Sequence, residues 1–387
     1  MTRNDDSNRL CVAGFDLEFL MSEHSLPPLF LRYPSLQGAL PYLSLTKGPS
    51  EVQPLKCDVF PGPVGEFWVK RDDKNGTIYG GNKPRKLEWL LADALQRQCT
   101  GILTFGAFGS HHTLASALYA NSVGLRSRLV LVWKPLLPGT LKSLALSQQH
   151  GASLIPCSTE AGTILAGVST LLKSWLTPGE KLYLIGPGGS SVRGSLGFVN
   201  AALELAGQIK ENQLPEPDVL FVPVGSCGTM AGLLVGCRLA GLKTQVVGVR
   251  VSDSFGMNAR GVQFLANSLL RWLSRKVGKR LKPLFKLREV TVLEEFLGEG
   301  YSVPTEEGEQ AFDCFRRMPE VSLEPVYSCK TMAALMTWAK EGKLEGKKVL
   351  FWNTYNSLPL EPLLTEKPEV SQLPAGFHPF FQCLPEP

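Results

Sequence analysis

The sequence has no apolar run that approaches the ~20 residues of a membrane-spanning helix, so a helical membrane protein is not expected. It has no C-x-x-C pair. Its nine cysteines (residues 11, 57, 99, 157, 227, 237, 314, 329 and 383) are odd in number and scattered, which points away from a disulfide framework or a zinc site and towards reduced thiols. No run of five like charges occurs among the 40 basic and 35 acidic residues, so the net charge of +5 describes a mildly basic solvated surface and not a nucleic-acid footprint. Neither G-x-x-x-x-G-K-[ST] nor G-x-G-x-x-G is present, and no fixed-period repeat is visible. The start, MTRNDDSNRL, carries acids where a secretory or transit peptide would not, and the expectation is a soluble, cytoplasmic protein.

What is present is alternation. After Gly65, short β-branched or aromatic runs (EFWVKR, GILTFG, LRSRLVLVW, ASLIPC, KLYLIG, DVLFVPVG, TQVVGVRV, KKVLFWN) are separated by patterns of helical period at 84–97, 113–123, 139–150, 195–208, 229–240, 306–317 and 330–341. Strand, helix, strand repeated this often predicts an α/β fold of open, mostly parallel twisted sheets covered by helices, and 387 residues are enough for two cores. The first 45 residues, rich in proline and leucine without a clear period, read as an extension lying over the core.

Ligands of such sheets sit beyond the carboxyl ends of the strands, where loops enter helices. Four loops stand out: GGNKPRK (80–86), GAFGSHHT (106–113), PVGSCGTMAG (223–232) and PVYSCKT (325–331). In the first, Leu87, Leu90, Leu91, Ala94 and Leu95 fall on one helical face, and Pro84 suits a first helical position, which puts Lys83 at the helix entrance. A positive dipole end and partial burial there would lower its amine pKa and leave a lone pair free to attack a carbonyl; the plain alternative is an exposed loop lysine. In the third, Gly225, Ser226, Cys227, Gly228 and Thr229 join an apolar strand to a helix of small residues, a construction that can cradle phosphate through backbone N–H groups, hydroxyls and the helix N-terminus, or can be a structural turn only.

A carbonyl-reactive lysine and a separate phosphate cup together suggest pyridoxal phosphate. VKRDDKNGTIYGGNKPRKLE with GSCGTMAG, GEGYSVPTEEG and EPVYSCKTM, from about residue 48 to about 360, resembles the 1-aminocyclopropane-1-carboxylate deaminase / D-cysteine desulfhydrase family of tryptophan-synthase-β-like, fold-type-II pyridoxal phosphate enzymes. The resemblance implies an N-terminal extension over 1–45, a large cofactor-binding domain from 46–87 and 191–387, a smaller inserted α/β domain over 88–190, the cofactor in the cleft between them, and a homodimer. It implies that Lys83 holds the cofactor and moves the Cα proton, that Asn82 orients it, and that residues 225–229 take the phosphate. It further implies that Tyr301 and Tyr327 flank a small amino-acid substrate, that Ser110 is catalytic, and that Ser328 partners the pyridine nitrogen. A hydroxyl at Ser328, where deaminases carry an acid, and Thr354, where they carry leucine, both favour αβ-elimination over cyclopropane opening.

Two departures accompany this. The family's S-N-[QH] is Ser110-His111-His112 here, with His111 expected at the cofactor's phenolic oxygen and no metal expected at the histidine pair. The family's H-x-G-G is Asn353-Thr354-Tyr355-Asn356, a bulkier rim. Elimination giving a keto acid, ammonia and a leaving group is the first reading; deaminase activity, or a protein that retains the cofactor for binding or regulation, are the alternatives, and a nucleotide-binding protein without the cofactor ranks last. If Lys83 is the carrier, Lys83→Ala abolishes the visible absorbance that borohydride bleaches in the parent, and the reduced, labelled peptide contains Lys83; labelling of Lys70, Lys86 or Lys330 instead overturns the assignment.

Overall fold

The run VLFVPV at 219–224 is apolar without a break, and such a run makes a strand buried on both faces, as all six of its residues are. It sits inside the larger of two sheets in the computed structural model, which describes residues 26–381 apart from 317 and 319. Strands are numbered β1 (Val52–Leu55), β2 (Glu66–Lys70), β3 (Gly101–Ala107), β4 (Arg126–Val132), β5 (Ala152–Cys157), β6 (Leu182–Ile185), β7 (Val219–Val224), β8 (Gln245–Arg250), β9 (Thr291–Leu293) and β10 (Lys348–Trp352). The larger sheet has the order β1-β2-β10-β7-β8-β9 and the smaller β5-β4-β3-β6. Every pairing is parallel except β1 with β2. The eight expected strands are all present; β1 and β9 are additional.

The helices are α1 (Pro28–Arg32), α2 (Asn82–Gln96), α3 (His111–Ser122), α4 (Thr140–Gln149), α5 (Glu160–Leu176), α6 (Val192–Lys210), α7 (Gly228–Ala240), α8 (Ala259–Val277), α9 (Glu306–Phe315), α10 (Ser328–Lys340) and α11 (His378–Phe381). Among the expected helices, α2, α3, α6 and α10 begin two or three residues earlier than the apolar period indicates. Their first turns carry Asn82-Lys83, His111-His112, Val192-Arg193 and Ser328-Cys329, mostly polar pairs that hide the start of the apolar period. Pro84 is therefore the third residue of α2, and Lys83 lies within its first turn.

Of the extension expected over residues 1–45, residues 26–45 lie on the core and residues 1–25 fall outside the described residues. Leu29, Phe30, Leu36 and Leu40 are buried with Trp89 and Leu196, and the Leu29 N–H donates to Asn200 Oδ1 at 2.9 Å. Glu88 accepts from Thr46 Oγ1 at 2.7 Å and from Tyr42 Oη at 3.1 Å, which ties this segment to α2. At the other end of the chain, Leu373 and Phe377 pack with Phe108, Leu129 and Leu131 against the smaller sheet. We propose domain limits near 87/88 and 190/191, with the C-terminal segment returning to the smaller domain.

A buried ionic cluster fixes α2. Arg85 donates from Nε to Asp72 Oδ2 at 2.9 Å and from Nη2 to Asp72 Oδ1 at 2.8 Å, and reaches Glu204 Oε2 from Nη1 at 2.9 Å. Lys70 Nζ lies 2.6 Å from Glu204 Oε1, and Trp352 Nε1 donates to Asp72 Oδ2 at 2.7 Å. The cluster thus joins β2, α2, α6 and β10. Burial by itself would raise the Glu204 pKa, but Arg85 and Lys70 outweigh it and hold the carboxyl at about 2. Because the folded pKa lies below the unfolded one, this stabilisation is complete above about pH 4.5 and is lost as pH falls towards 2. Glu204→Gln is expected to cost on the order of 3 kcal/mol at pH 7, with the gap to the parent narrowing below pH 4.5; urea unfolding across pH checks this, and a gap that stays constant would contradict it.

Candidate active site

The loops that follow β3, β6, β7, β8 and β9, together with the first turn of α2, meet at the carboxyl ends of the parallel strands, where an α/β sheet leaves room for a ligand. They enclose a cavity of about 340 Å³ lined by Asn82, Lys83, Ser110, His112, the 225–229 loop, Tyr301 and Tyr327, among others. A narrower recess adjoins it, lined by Tyr79, Lys83, His111, Glu324, Thr354 and Tyr355. Lys83 opens on both.

Gly81 caps α2 with φ +83° and ψ −163°. A Cβ there would stand 2.6 Å from the Thr354 carbonyl oxygen and 2.7 Å from that of Tyr355, so only glycine lets the lysine loop lie against the segment after β10. Lys83 Nζ donates to Asn82 Oδ1 at 2.7 Å, and Asn82 Nδ2 donates to Thr229 Oγ1 at 3.2 Å, so one side chain links the lysine to the glycine loop. Burial lowers the Lys83 pKa to about 8, with the Glu324 carboxylate opposing. The expected depression is present, and burial is its cause.

In the glycine loop Cys227 takes φ +64° as the N-cap of α7. Its thiol is pushed up to about 11 by burial, so it is a small neutral group at neutral pH. The Gly228 N–H donates to Ser190 Oγ at 3.1 Å, Ser190 Oγ and Ser226 Oγ are 2.7 Å apart, and Lys86 Nζ donates to Ser190 Oγ at 3.1 Å. A second glycine turn at 186–191, GPGGSS, therefore closes this end of the cavity; Gly188 has φ +64°, and a Cβ on it would lie 2.2 Å from Ser226 Oγ. The Ser226 and Thr229 hydroxyls and the N-terminus of the thirteen-residue α7 line the cavity, Ser190 and Lys86 stand behind Ser226, and Lys83 faces the same cavity from the first turn of α2. That donor set fits a phosphate monoester, with a carbonyl group presented to Lys83.

Tyr327 Oη donates to Tyr301 Oη at 2.9 Å, and Lys83 Nζ lies 5.8 Å from the Tyr327 ring centre. Burial, reinforced at Tyr327 by Tyr301, holds both phenols protonated above their ordinary range. Ser110 caps α3, its Oγ accepting from the His112 N–H at 3.3 Å. The two histidines face different partners. His112 Nε2 meets Thr104 Oγ1 at 2.9 Å and lines the main cavity, whereas His111 Nδ1 bonds Tyr79 Oη in the recess, its ring edge-on to Tyr355 at 5.5 Å. Burial, aided by the charge of Lys83, lowers the His111 pKa to about 4, so this ring is neutral near pH 7.

Ser328 is fully buried at the start of α10. Its Oγ donates to the Glu324 carbonyl at 3.0 Å and accepts from the Glu324 N–H at 2.5 Å, and it is not among the residues lining either space. The Glu324 side chain, which sequence reading passed over, accepts from the N–H groups of Val326, Tyr327 and Ser328 at 2.8, 2.7 and 2.7 Å while facing the recess. The 186–191 turn and Lys86 were also passed over, although GPGGSS before a helix repeats the composition of the 225–229 loop. Thr354 borders the recess and gives its carbonyl to the Asn82 N–H at 3.2 Å.

Residues 45–354 match the family model of pyridoxal-phosphate dependent enzymes. The chain is 32% identical over 301 residues to the bifunctional D-cysteine desulfhydrase/1-aminocyclopropane-1-carboxylate deaminase, mitochondrial, of Arabidopsis thaliana, covering 75% of this chain and 72% of that protein. It is 31% identical over 298 residues to the D-cysteine desulfhydrase of Klebsiella pneumoniae (strain 342), covering 75% and 86%. A crystal structure of an ACC deaminase homologue superposes with a TM-score of 0.71 at 26% identity, over 88% of this chain and 99% of the other. The chain belongs to the pyridoxal-phosphate dependent enzyme family.

Glu324 supplies the nearby negative charge that holds the Lys83 amine up against burial. In cofactor-free protein, condensation of Lys83 with an added aldehyde should rise through about pH 8 as the amine loses its proton, and Glu324→Gln should move that midpoint lower. A midpoint unmoved or raised in the variant would refute this electrostatic reading.

Proposed function

We propose that the chain is a pyridoxal 5′-phosphate-dependent lyase of a small amino acid, carrying out αβ-elimination to a keto acid, ammonia and a leaving group. The observation that carries this reading is the link from Lys83 through Asn82 to Thr229: it puts a buried amine and an anion cup on one cavity, with two protonated phenols beside the amine. Lys83 is the residue that holds the cofactor, Asn82 orients it, and Gly225, Ser226, Cys227, Gly228 and Thr229 hold the phosphate with help from Ser190 and Lys86. When bound, the cofactor supplies an electron sink that acidifies the substrate Cα–H.

The chain's own groups do the rest. With its pKa near 8, Lys83 can accept a proton at Nζ around neutral pH, which suits removal of the Cα proton. The Tyr327–Tyr301 pair holds a phenolic proton within reach of the same space and can deliver it to a departing β-substituent. Ser110, at the N-terminus of α3, offers a hydroxyl beside that helix end for a substrate carboxylate. For D-cysteine and water the products are pyruvate, hydrogen sulfide and ammonia. Similarity to a D-cysteine desulfhydrase and a bifunctional enzyme supports this class, and the hydroxyl residue Thr354, which borders the recess, favours elimination over the deaminase reading. His111 and Tyr355, packed edge to face beside Lys83, narrow the site from the recess side and favour a small substrate. We take the working form to be a homodimer and its compartment to be the cytoplasm; no described helix is long and apolar enough to cross a membrane.

On one preparation of known cofactor content, keto acid should appear faster from D-cysteine or a β-substituted alanine than from 1-aminocyclopropane-1-carboxylate. Tyr327→Phe should lower that rate about 10²-fold or more and leave the visible spectrum in place. Preference for the cyclopropane substrate would reverse the class, and no turnover of either would favour a cofactor-retaining binding protein.

A further inference from the structure

Lys330 is a cation where elementary electrostatics disfavours one. It is fully buried, and it is the third residue of α10, inside the first turn, where the helix dipole opposes positive charge. Burial depresses its amine, and the Glu324 and Asp253 carboxylates oppose this as neighbouring charges. Its hydrogen bonds go to the backbone: Nζ donates to the Leu297 carbonyl at 2.7 Å and to the Gly300 carbonyl at 3.1 Å. A buried ammonium held by carbonyls in place of a carboxylate is costly to keep.

The segment it grips is the loop that carries Tyr301. Between β9 and α9 the chain passes through Gly300 at φ +142° and Ser302 at φ +66°. Ser302 is buried and is not glycine, so its left-handed conformation persists only where surrounding contacts hold it. On the other side of the loop, a Cβ on Gly300 would lie 2.9 Å from Asp253 Oδ2, which leaves the loop pinned between the segment after β8 and Lys330. Tyr301 follows Gly300 directly, and its Oη meets Tyr327 Oη at 2.9 Å. Tyr327 is the N-cap of α10, three residues before Lys330. The start of one helix thus carries one phenol and grips the backbone of the other.

We propose that Lys330 is a positioning residue for the reaction: bonded to the Leu297 and Gly300 carbonyls, it sets Tyr301 against Tyr327 and so fixes where the phenolic proton stands. This rests on the part given above to the two phenols. Lys330 is not among the residues lining the cavity or the recess, so it acts through Tyr301 and not on the substrate. A packing role would be met at least as well by an uncharged residue of similar length; a positioning role requires N–H donors.

The test compares Lys330→Met, which keeps the length and removes the donors, with Lys330→Gln, which keeps two donors without the charge. In cofactor-free protein, amide hydrogen exchange of residues 296–303 should be fastest in Lys330→Met, about 10-fold above the parent, and intermediate in Lys330→Gln, with the rest of the chain unchanged. In the holoprotein, Lys330→Met should lower kcat for keto-acid release about 10-fold or more, with KM and the visible spectrum little changed. In a Tyr301→Phe background the same substitution should cost no further kcat, because the phenol it positions is gone. Parental exchange at 296–303 in Lys330→Met, or losses that multiply in the double variant, would overturn the proposal. Should Lys330→Met not fold, Lys330→Gln decides: raised exchange confined to 296–303 supports it and the parental rate overturns it. If the parent turns over no amino acid, the lyase reading falls, while the exchange measurement still decides whether Lys330 holds the Tyr301 loop.

Discussion

The guanidinium of Arg85, held between the Asp72 and Glu204 carboxylates, is the contact on which the site depends. On a helix, residues two apart point about 200° away from one another while residues three apart share a side. Turning Arg85 into the core therefore turns Lys83 and Lys86 outward together: Lys83 into the cavity beside Asn82, Lys86 onto Gly188 and Ser190. Gly197 lets the backbones of α2 and α6 close at that point, since a Cβ there would lie 1.9 Å from the Arg85 carbonyl oxygen. A buried charge network of this kind adds little net stability over an apolar replacement, but losing one partner is costly. Its role here is to fix the rotation of α2.

That rotation concentrates positive charge. Burial depresses the amines of Lys83 and Lys86, and Lys83 is a further depressing influence on Lys86, on His111 and on His112. The Glu324 carboxylate, already shared among three backbone N–H groups, offsets this only partly. A dianionic phosphate in the 225–229 loop would supply the missing counter-charge, so the electrostatics that free the Lys83 amine also favour the cofactor.

Much of this was legible in the sequence, for identifiable reasons. The strands expected from β-branched runs are all present, because parallel strands buried on both faces must be continuously apolar. β1 escaped notice because VQPL at a sheet edge has no need of such a run, and β9 because three residues carry no period. Helix starts came out late in α2, α3, α6 and α10, whose first turns do not carry the apolar period. Lys83, Asn82, Tyr301, Tyr327 and the glycine loop, which spacing and the family resemblance single out, share one space. Which histidine enters the cavity was not legible, since adjacent residues on a helix diverge by 100° and only the packing of Thr104 and Tyr79 decides between them. Glu324 was hidden because its partners are backbone amides, which leave no mark on a sequence.

The order of elements along the chain bears on how the protein is made. The four strands of the smaller sheet all lie within residues 101–185, so that sheet can pair as soon as its own stretch has left the ribosome. The larger sheet cannot. β2 has only β1 beside it until β10 arrives, and Asp72 waits 280 residues for the Trp352 indole. Through that interval the β2 edge stays open and the carboxylate that anchors Arg85 lacks one of its donors, so the long-range closure that completes the lysine-bearing helix comes late in synthesis.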